Sequence, residues 1–310
     1  MSRTGIVVVT YNSGDVIGAC LDSCKGLPVV VVDNASSDST CQEVRRRAGV
    51  TLIANAANGG FAAAVNQGVA RIDTDLILLL NPDTRLESAI DALESACLEN
   101  GAGVAAGLLR DSDGCAQAGF ALRRYPTAAT LALEVLGLNR VAPWNPWNRR
   151  YRCLDVDLSE PGVCEQPAGA FLMFRRDVWQ RLGGFDTQFD PVWFEDVDFC
   201  KRAHDLGVKI QYVPEVTARH QGGHSIAKMD WGSRELCWYV SLLKYAYKHF
   251  RPYSCRGVSA AVVVGSLFRA TIGLIRLRSV RPIKVYARVA GIAMRGFFVG
   301  RVGQLKCCVV

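Results

Sequence analysis

The segment Pro191-Val192-Trp193-Phe194-Glu195-Asp196-Val197-Asp198-Phe199-Cys200 sets three carboxylates among aromatic and aliphatic residues. A carboxylate withdrawn from water is costly unless a charge, a metal or a substrate proton compensates it. Such a group can act as a general base. A second acidic point, Asn81-Pro82-Asp83, directly follows the apolar run Leu76-Ile77-Leu78-Leu79-Leu80. Read plainly, Asn-Pro is a turn. At the mouth of a buried strand, though, one carboxylate is enough to hold a divalent cation against a diphosphate, since Mg2+ takes only one or two protein carboxylates in such sites. The two points together suit a metal–diphosphate site with a separate base.

Three further clusters could join them. Asp33 ends an all-valine strand, where an acid can bond a ribose hydroxyl or a base N–H; its plainer reading is a turn at Asp33-Asn34 with Ser37 or Asp38 capping a helix. Asn58-Gly59-Gly60-Phe61 opens a small-residue helix whose N-terminus could face phosphate, or simply allow close helix–sheet packing. His220 and His224, two of only four histidines, fall in one glycine-rich stretch expected just beyond the last strand. Imidazole suits Mn2+. HxxxH is also a zinc-like spacing, but no Cys or acid stands beside it. The dinucleotide glycine pattern is missing after the first strand, where Thr10-Tyr11-Asn12-Ser13-Gly14 stands, which argues against a nicotinamide or flavin enzyme.

The elements that must position these residues alternate. Short Val-, Ile- and Leu-rich strands are expected over 5–10, 29–33, 50–54 and 75–80, with helices over 16–24, 39–48, 62–72 and 87–99. That pattern predicts an α/β fold with a mostly parallel sheet, ligands lying beyond the carboxyl ends of the strands. Thr10-Tyr11-Asn12, Asp33-Asn34 and Asn81-Pro82-Asp83 all sit at such ends. The proline-rich stretch 110–167 reads as loops with an edge strand or two. A strand over 168–174, a helical turn over 177–182, a helix over 195–206 closed by Gly207 and a last strand over 208–213 follow.

Together these motifs resemble the inverting family-two glycosyltransferases of the glycosyltransferase A fold, over about 5–225. Thr10-Tyr11-Asn12, Asp33-Asn34-Ala35-Ser36, Asn58 through Gly68, Asn81-Pro82-Asp83, Gly169-Ala170-Phe171 and Glu195-Asp196-Val197-Asp198 with Arg202 carry the likeness by their order and spacing. The nearest subgroup is rhamnosyltransferase-like and includes galactofuranosyl transferases. The resemblance implies a Rossmann-like sheet and a nucleotide site of Thr10, Tyr11, Asn12, Asp33, Asn58 and Asn81. It implies Mg2+ or Mn2+ on Asp83 and His220, the more so because Asn81 stands where many relatives have an acid. It implies Asp196 as base with Glu195 holding the acceptor, and sugar contacts from Gly169, Ala170 and Trp193. Asp198 is expected to pair with Arg202, one helical turn on. The partner so implied is a nucleotide-diphosphate sugar, best a dTDP-linked L-rhamnose, transferred to a lipid-linked or polysaccharide acceptor of the cell envelope.

Hydrophobic residues make up 50% of the chain, enough for a real core. Twelve cysteines show no CxxC pair and read as small buried hydrophobes in a reducing compartment. No signal peptide is visible before the first strand. The net charge of +7 is unevenly spread: residues 251–310 hold 11 Lys and Arg and no Asp or Glu, which leaves 25 basic against 29 acidic residues in the rest. A catalytic domain over 1–235 is therefore expected to precede a basic, apolar helical tail over 236–310. In that tail arginines alternate with Val, Leu, Ile and Phe, which suits anionic lipid better than nucleic acid. The stretch 257–275 is apolar but carries Arg269. Helices lying on the inner face of the plasma membrane are the preferred reading; a span, a helical subdomain and a homodimer interface are the alternatives. The ending Cys307-Cys308-Val309-Val310 matches a prenylation box only superficially. A nucleotide-sugar-binding scaffold without turnover and a nucleotidyltransferase are the competing functions. Intact Asp33, Asp83, Asp196 and His220 disfavour the first, and the Glu195-Asp196 pair with its distant histidine disfavours the second.

Overall fold

The computed structural model describes residues 3–302. The chain forms two compact units: one contains the segments through Tyr125, Arg152–Thr187 and Glu195–Lys228, the other Pro126–Tyr151, Gln188–Phe194 and the chain from Met229 onward. The Cys307-Cys308-Val309-Val310 ending lies outside the described residues.

The first unit opens with the expected alternation: β1 (Thr4–Thr10), α1 (Ile17–Ser23), β2 (Val29–Asp33), α2 (Thr40–Arg45), β3 (Val50–Ala54), α3 (Phe61–Val69) and β4 (Leu76–Leu80). Then come β5 (Thr84–Leu86), α4 (Asp91–Leu98), β6 (Ala102–Arg110) and β7 (Leu122–Arg123). The second unit contributes α5 (Ala128–Leu136), α6 (Leu138–Val141) and α7 (Pro146–Tyr151). The first resumes with β8 (Gly162–Cys164), β9 (Gln166–Pro167), β10 (Phe171–Arg175), α8 (Arg176–Leu182), α9 (Glu195–Asp205), β11 (Lys209–His220) and α10 (His224–Ala227). Helices α11 (Trp231–His249), α12 (Pro252–Leu277) and α13 (Arg281–Val299) complete the second.

The main sheet runs β3-β2-β1-β4-β10-β6-β11-β5, with β8 also on β11. Strands β1 to β4 are mutually parallel, in the register Thr10 with Asp33 and Val8 with Leu80. Their continuous apolar runs follow from burial on both faces. Ile6 and Val8 face Ile17, Leu21, Val44 and Leu93 on one side, while Val7 and Val9 face Ala62, Val65, Val178 and Phe199 on the other. Strand β10 enters antiparallel between β4 and β6, pairing Phe171 with Leu80. Its start therefore lies at the same sheet edge as the end of β4.

Three expectations change. Strand β6 was not foreseen, because its sequence Ala-Gly-Val-Ala-Ala-Gly is poor in β-formers; it is buried in the sheet centre all the same. The stretch read as loops contains α5, capped by a Thr127–Thr130 box and closed by Gly137 at φ 81°. The last strand does not stop at Val213. The register slips between Val213 and Thr217, so the chain bulges past Pro214 and continues. His220 is consequently the last residue of β11 and not part of a following loop.

One buried ion pair ties α9 to the end of α8. The Asp198 side chain is fully buried, and Arg202 Nε donates to it at 2.7 Å, as expected from the sequence. The same guanidinium donates to the carbonyls of Leu182 and Gly184. Arg202→Met would strand the carboxylate and leave two carbonyls bare. It should cost about 3–5 kcal/mol, read as a shift of the urea unfolding midpoint; a loss below about 1 kcal/mol would show the pair to be dispensable.

Candidate active site

At the carboxyl ends of β1 and β2 a buried knot forms. Asp33 Oδ1 accepts from the Thr10 and Ser36 hydroxyls, and Oδ2 accepts from Ser36 N–H. Asn12, at φ 51°, donates its N–H to Ser36 Oγ and accepts from Ser37 N–H. Asp33 is thus first of all the tie that closes this loop. Tyr11 and Asn12 stay half-exposed beside it. Asp38 accepts from the N–H of Thr40, the first residue of α2, but the N-cap position is Ser39 and makes no side-chain cap bond, so neither Ser37 nor Asp38 caps the helix as expected. Asn58 accepts from Gly60 N–H, and Asn34 donates to the Gly60 carbonyl, which joins the glycine loop to the same edge.

Next along the edge stands the acid of Asn81-Pro82-Asp83. Antiparallel pairing of β11 with β5 sets His220 opposite Thr84 and so beside Asp83. His220 Nε2 lies 3.5 Å from Asp83 Oδ1, both side chains are nearly fully buried, and Nε2 has no hydrogen-bond partner. Gly222 N–H donates to Asp83 Oδ2. Burial lowers the imidazole pKa, with Asp83 pulling the other way, so the ring is neutral. A buried nitrogen lone pair facing a carboxylate is a pair of donors suited to a divalent cation. Among the described residues no cluster of three or more protein ligands exists, so the remaining positions would be filled from outside the protein, as diphosphate oxygens and water do for Mg2+. The described residues do not include the His224 side chain.

Gln117, which the sequence did not flag, decides which imidazole nitrogen faces Asp83. Its amide Nε2 donates to the His220 carbonyl at 2.7 Å, which turns Oε1 toward Nδ1 at 2.9 Å. Nδ1 must then carry the proton, leaving the Nε2 lone pair toward Asp83. Phe120 stacks on the same ring at 5.1 Å. Nothing local in the sequence marks Gln117, because the contact spans 103 positions.

The third cluster is joined to the second. Asn81 N–H donates to the Ala170 carbonyl at 3.0 Å. Gly169 N–H donates to Asp196 Oδ2 at 2.9 Å, and Val197 N–H bonds Oδ1. A Cβ at Gly169 would lie 3.0 Å from Asp196 Cβ, so the glycine allows this approach. Asp196 is partly exposed. Burial raises its carboxyl pKa, while the two N–H donors and the Arg123 charge hold it down. Arg123 is a second residue that the sequence reading missed. Glu195 is buried, with Oε2 unpartnered. Desolvation, then the charge of Asp196, pushes its pKa well above 4.5. The two adjacent acids therefore differ: one stays neutral and one can ionise. Trp193 falls in the other unit, so these bonds do not include it.

By its family and its relatives the chain is a glycosyltransferase. The family model for glycosyl transferase family 2 matches residues 5–183, and the chain belongs to that family. The chain is 30% identical over 247 residues to the N-acetylglucosaminyl-diphospho-decaprenol L-rhamnosyltransferase of Mycobacterium tuberculosis, covering 72% of this chain and 77% of that protein. It is 25% identical over 243 residues to the rhamnosyltransferase WbbL of Escherichia coli, covering 71% and 83%. In fold it is similar to the mannosyltransferase PcManGT of Pyrobaculum calidifontis, solved with GDP-Man and Mn2+, at TM-score 0.52 and 19% identity over 96% of this chain and 88% of that one.

The Glu195 proton has a measurable consequence. A raised folded-state pKa means that the folded chain holds the proton more tightly than the unfolded one. The stability this contributes is complete below about pH 4.5 and is lost as pH rises through the folded value. Glu195→Gln is neutral at every pH and escapes that loss. The melting temperature of the variant should therefore gain on wild type as pH rises above 4.5, until pH passes the raised folded value; a constant gap would refute the buried neutral acid.

Proposed function

We propose that this glycosyltransferase moves L-rhamnose from a dTDP donor, with inversion, onto a hydroxyl of a prenyl-diphosphate-linked sugar in cell-envelope glycan synthesis. The observation that carries the reading is the short chain of bonds from Asp83 through Asn81 N–H and the Ala170 carbonyl to Gly169 N–H and Asp196. It brings Asp83 and Asp196 to one sheet edge, which supports reading the first as the diphosphate-side acid and the second as the base. The sugar and the acceptor are inferred from the relatives, whose names specify rhamnosyl transfer and, in one, a diphospho-decaprenol; the dTDP carrier follows from the resemblance alone.

In this reading Tyr11 and Asn12 face the nucleotide, with Thr10 and Asp33 tying their loop and Asn58 and Asn81 flanking it. Asp83 and His220 would hold Mg2+ or Mn2+, which when bound would supply charge neutralisation to the departing diphosphate. Asp196 takes the acceptor hydroxyl proton as that oxygen attacks the anomeric carbon. The bond to the nucleoside diphosphate breaks on the opposite face, so one displacement inverts the centre and no covalent nucleophile is needed. Glu195, protonated, keeps a second negative charge away from the base; its Oε2 is buried, so it does not reach the acceptor as the resemblance implied. Gly169 and Ala170 border the sugar.

The helical unit supports the lipid side of the proposal. Helix α12 is long and apolar enough to cross a membrane, with mean hydropathy 1.9. Yet it buries Cys255, Val258 and Val262, and it packs on α5, α11 and α13. Val264, Leu267, Phe268, Ile272 and Ile275 form one exposed stripe on it, and Phe298 and Val299 stand out from α13. A helix buried on one side and apolar on the other fits a surface better than a span. The arginine-rich composition fits an anionic leaflet, and the reading places the protein in the cytoplasm on the inner face of the plasma membrane.

Asp196→Asn should lower transfer about 10²–10⁴-fold with donor affinity retained. Wild-type kcat should fall with acid below a pKa higher than that of an ordinary aspartate. More than roughly a tenth of wild-type turnover in the variant, or a product of retained configuration, would remove the base assignment.

Metal affinity gives a separate test, read as Mn2+ binding by electron paramagnetic resonance without turnover. In donor-bound protein Asp83→Ala should abolish specific binding. Gln117→Leu should weaken it about 10–100-fold, by freeing the imidazole to take the other tautomer. Unchanged Mn2+ binding in Asp83→Ala would place the metal elsewhere.

The full chain should sediment with phosphatidylglycerol vesicles and loosen at high salt, at roughly 1 kcal/mol per basic residue near the surface. Replacing Leu267, Phe268 and Ile275 together by serine should weaken sedimentation but leave transfer to a short soluble acceptor. Equal sedimentation would dismiss the stripe.

A further inference from the structure

The helical unit contains a cavity of about 330 Å3 among α5, α6, α11, α12 and the 188–194 segment. Arg140, Arg234 and Arg269 reach it together with Trp193, Trp238 and Tyr239. Resting on the prenyl-diphosphate acceptor argued above, we propose that this cavity binds the diphosphate and first sugar of that acceptor.

The charges in the wall are not equally available. Arg269 is committed: it donates to the Val135 and Glu134 carbonyls at the end of α5 and lies 5.9 Å from the Tyr239 ring centroid. The two acids in the wall are engaged as well. Glu134 accepts from Asn139 and Glu235 from the Tyr286 hydroxyl. Arg140 and Arg234 differ, because among the described residues neither guanidinium has a hydrogen bond or an ion pair. Two unspent guanidiniums at one cavity match phosphate oxygens, which they can take in bidentate fashion. The volume exceeds what one phosphate fills. At about 30 Å3 per water it has room for roughly ten water-sized groups, which suits a diphosphate carrying a sugar ring.

The aromatic wall addresses the sugar. Trp193 and Phe194 both hold positive φ, 80° and 73°, and the Phe194 ring packs on Tyr245. Non-glycine residues adopt that backbone only where the surroundings impose it. Trp193 is thereby held in the cavity wall, three residues before Asp196 in the chain. Tryptophan faces suit the C–H surface of a sugar, with a few polar groups fixing its orientation. The lipid end is accounted for by α12. It brings Arg269 to the cavity and presents Leu267, Phe268, Ile272 and Ile275 to the exterior. The helix proposed to lie on the membrane is also a wall of the cavity, so a diphosphate at the membrane surface need not leave its prenyl chain's depth to enter.

The test is direct binding to the full chain without donor or metal, followed by tryptophan fluorescence. The probe is a short-prenyl diphospho-N-acetylglucosamine. Its comparators are the prenyl sugar lacking the diphosphate, inorganic pyrophosphate and phosphatidylglycerol vesicles. Wild type should bind the probe, bind pyrophosphate more weakly, and fail to bind the sugar without diphosphate. Arg140→Ala with Arg234→Ala should raise the probe Kd by about tenfold or more, while nucleotide-sugar affinity and thermal stability stay unchanged. Arg140→Lys with Arg234→Lys should recover part of the loss. An unchanged probe Kd in the folded alanine variant would overturn the proposal. So would equal binding of the sugar without diphosphate. Arginine-dependent binding of vesicles alone would also overturn it, by making this a headgroup site. Wild type that binds the probe through the two arginines but transfers nothing to it would refute the acceptor under Proposed function and leave the cavity's ligand standing.

Discussion

The antiparallel entry of β10 between β4 and β6 is the constraint on which the site depends. Parallel strands alone would bring only their carboxyl ends to the functional edge. Reversing one strand brings the start of β10 there too, and the hydrogen bond from Asn81 N–H to the Ala170 carbonyl locks it against the end of β4. Gly169 is then available to hold Asp196, and a rigid sheet sets the spacing between the Asp83 loop and the start of α9. Central β6, small-residued over 102–107, makes room for this: a Cβ at Gly107 would lie 2.4 Å from the Phe171 ring.

Adjacent carboxylates on that edge meet different fates because their solvation differs. Glu195 lies wholly inside with one oxygen unpartnered, and desolvation keeps it protonated. Asp196 opens partly to solvent and accepts two backbone N–H bonds, which stabilise its charge. Asp198 is also buried, but Arg202 neutralises it. Three acids within four residues thus become a neutral acid, an ionisable carboxylate and a structural ion pair. The same logic governs the Asp83–His220 pair, where Gln117 spends one imidazole nitrogen so that the other faces the carboxylate.

The helical unit shows a division of labour along one helix. The buried side of α12 carries small residues against its neighbours, its outer side carries large apolar ones, and Arg269 closes the carbonyl end of α5. An arginine inside an apolar helix, which reads as a flaw in a membrane span, is here a cap for another helix.

The sequence by itself determined the parallel half of the sheet, because each of β1, β2 and β4 is an unbroken apolar run ending in a polar cluster. It also singled out Glu195, Asp196 and Asp198 by their apolar context, and it marked Asp198 as the partner of Arg202 through helical spacing. It left β6 and α5 unread: small residues carry little strand preference, and nearby prolines masked a capped helix. It stopped β11 at Pro214, although a bulge carries the strand on to His220. Only the tertiary structure decided that Gln117 orients His220, that Gly169 holds Asp196, and that residues 126–151 and 188–194 belong with the C-terminal helices. The physical reason is common to all three. They depend on contacts between segments far apart in the chain, and neither local propensity nor periodicity carries that information.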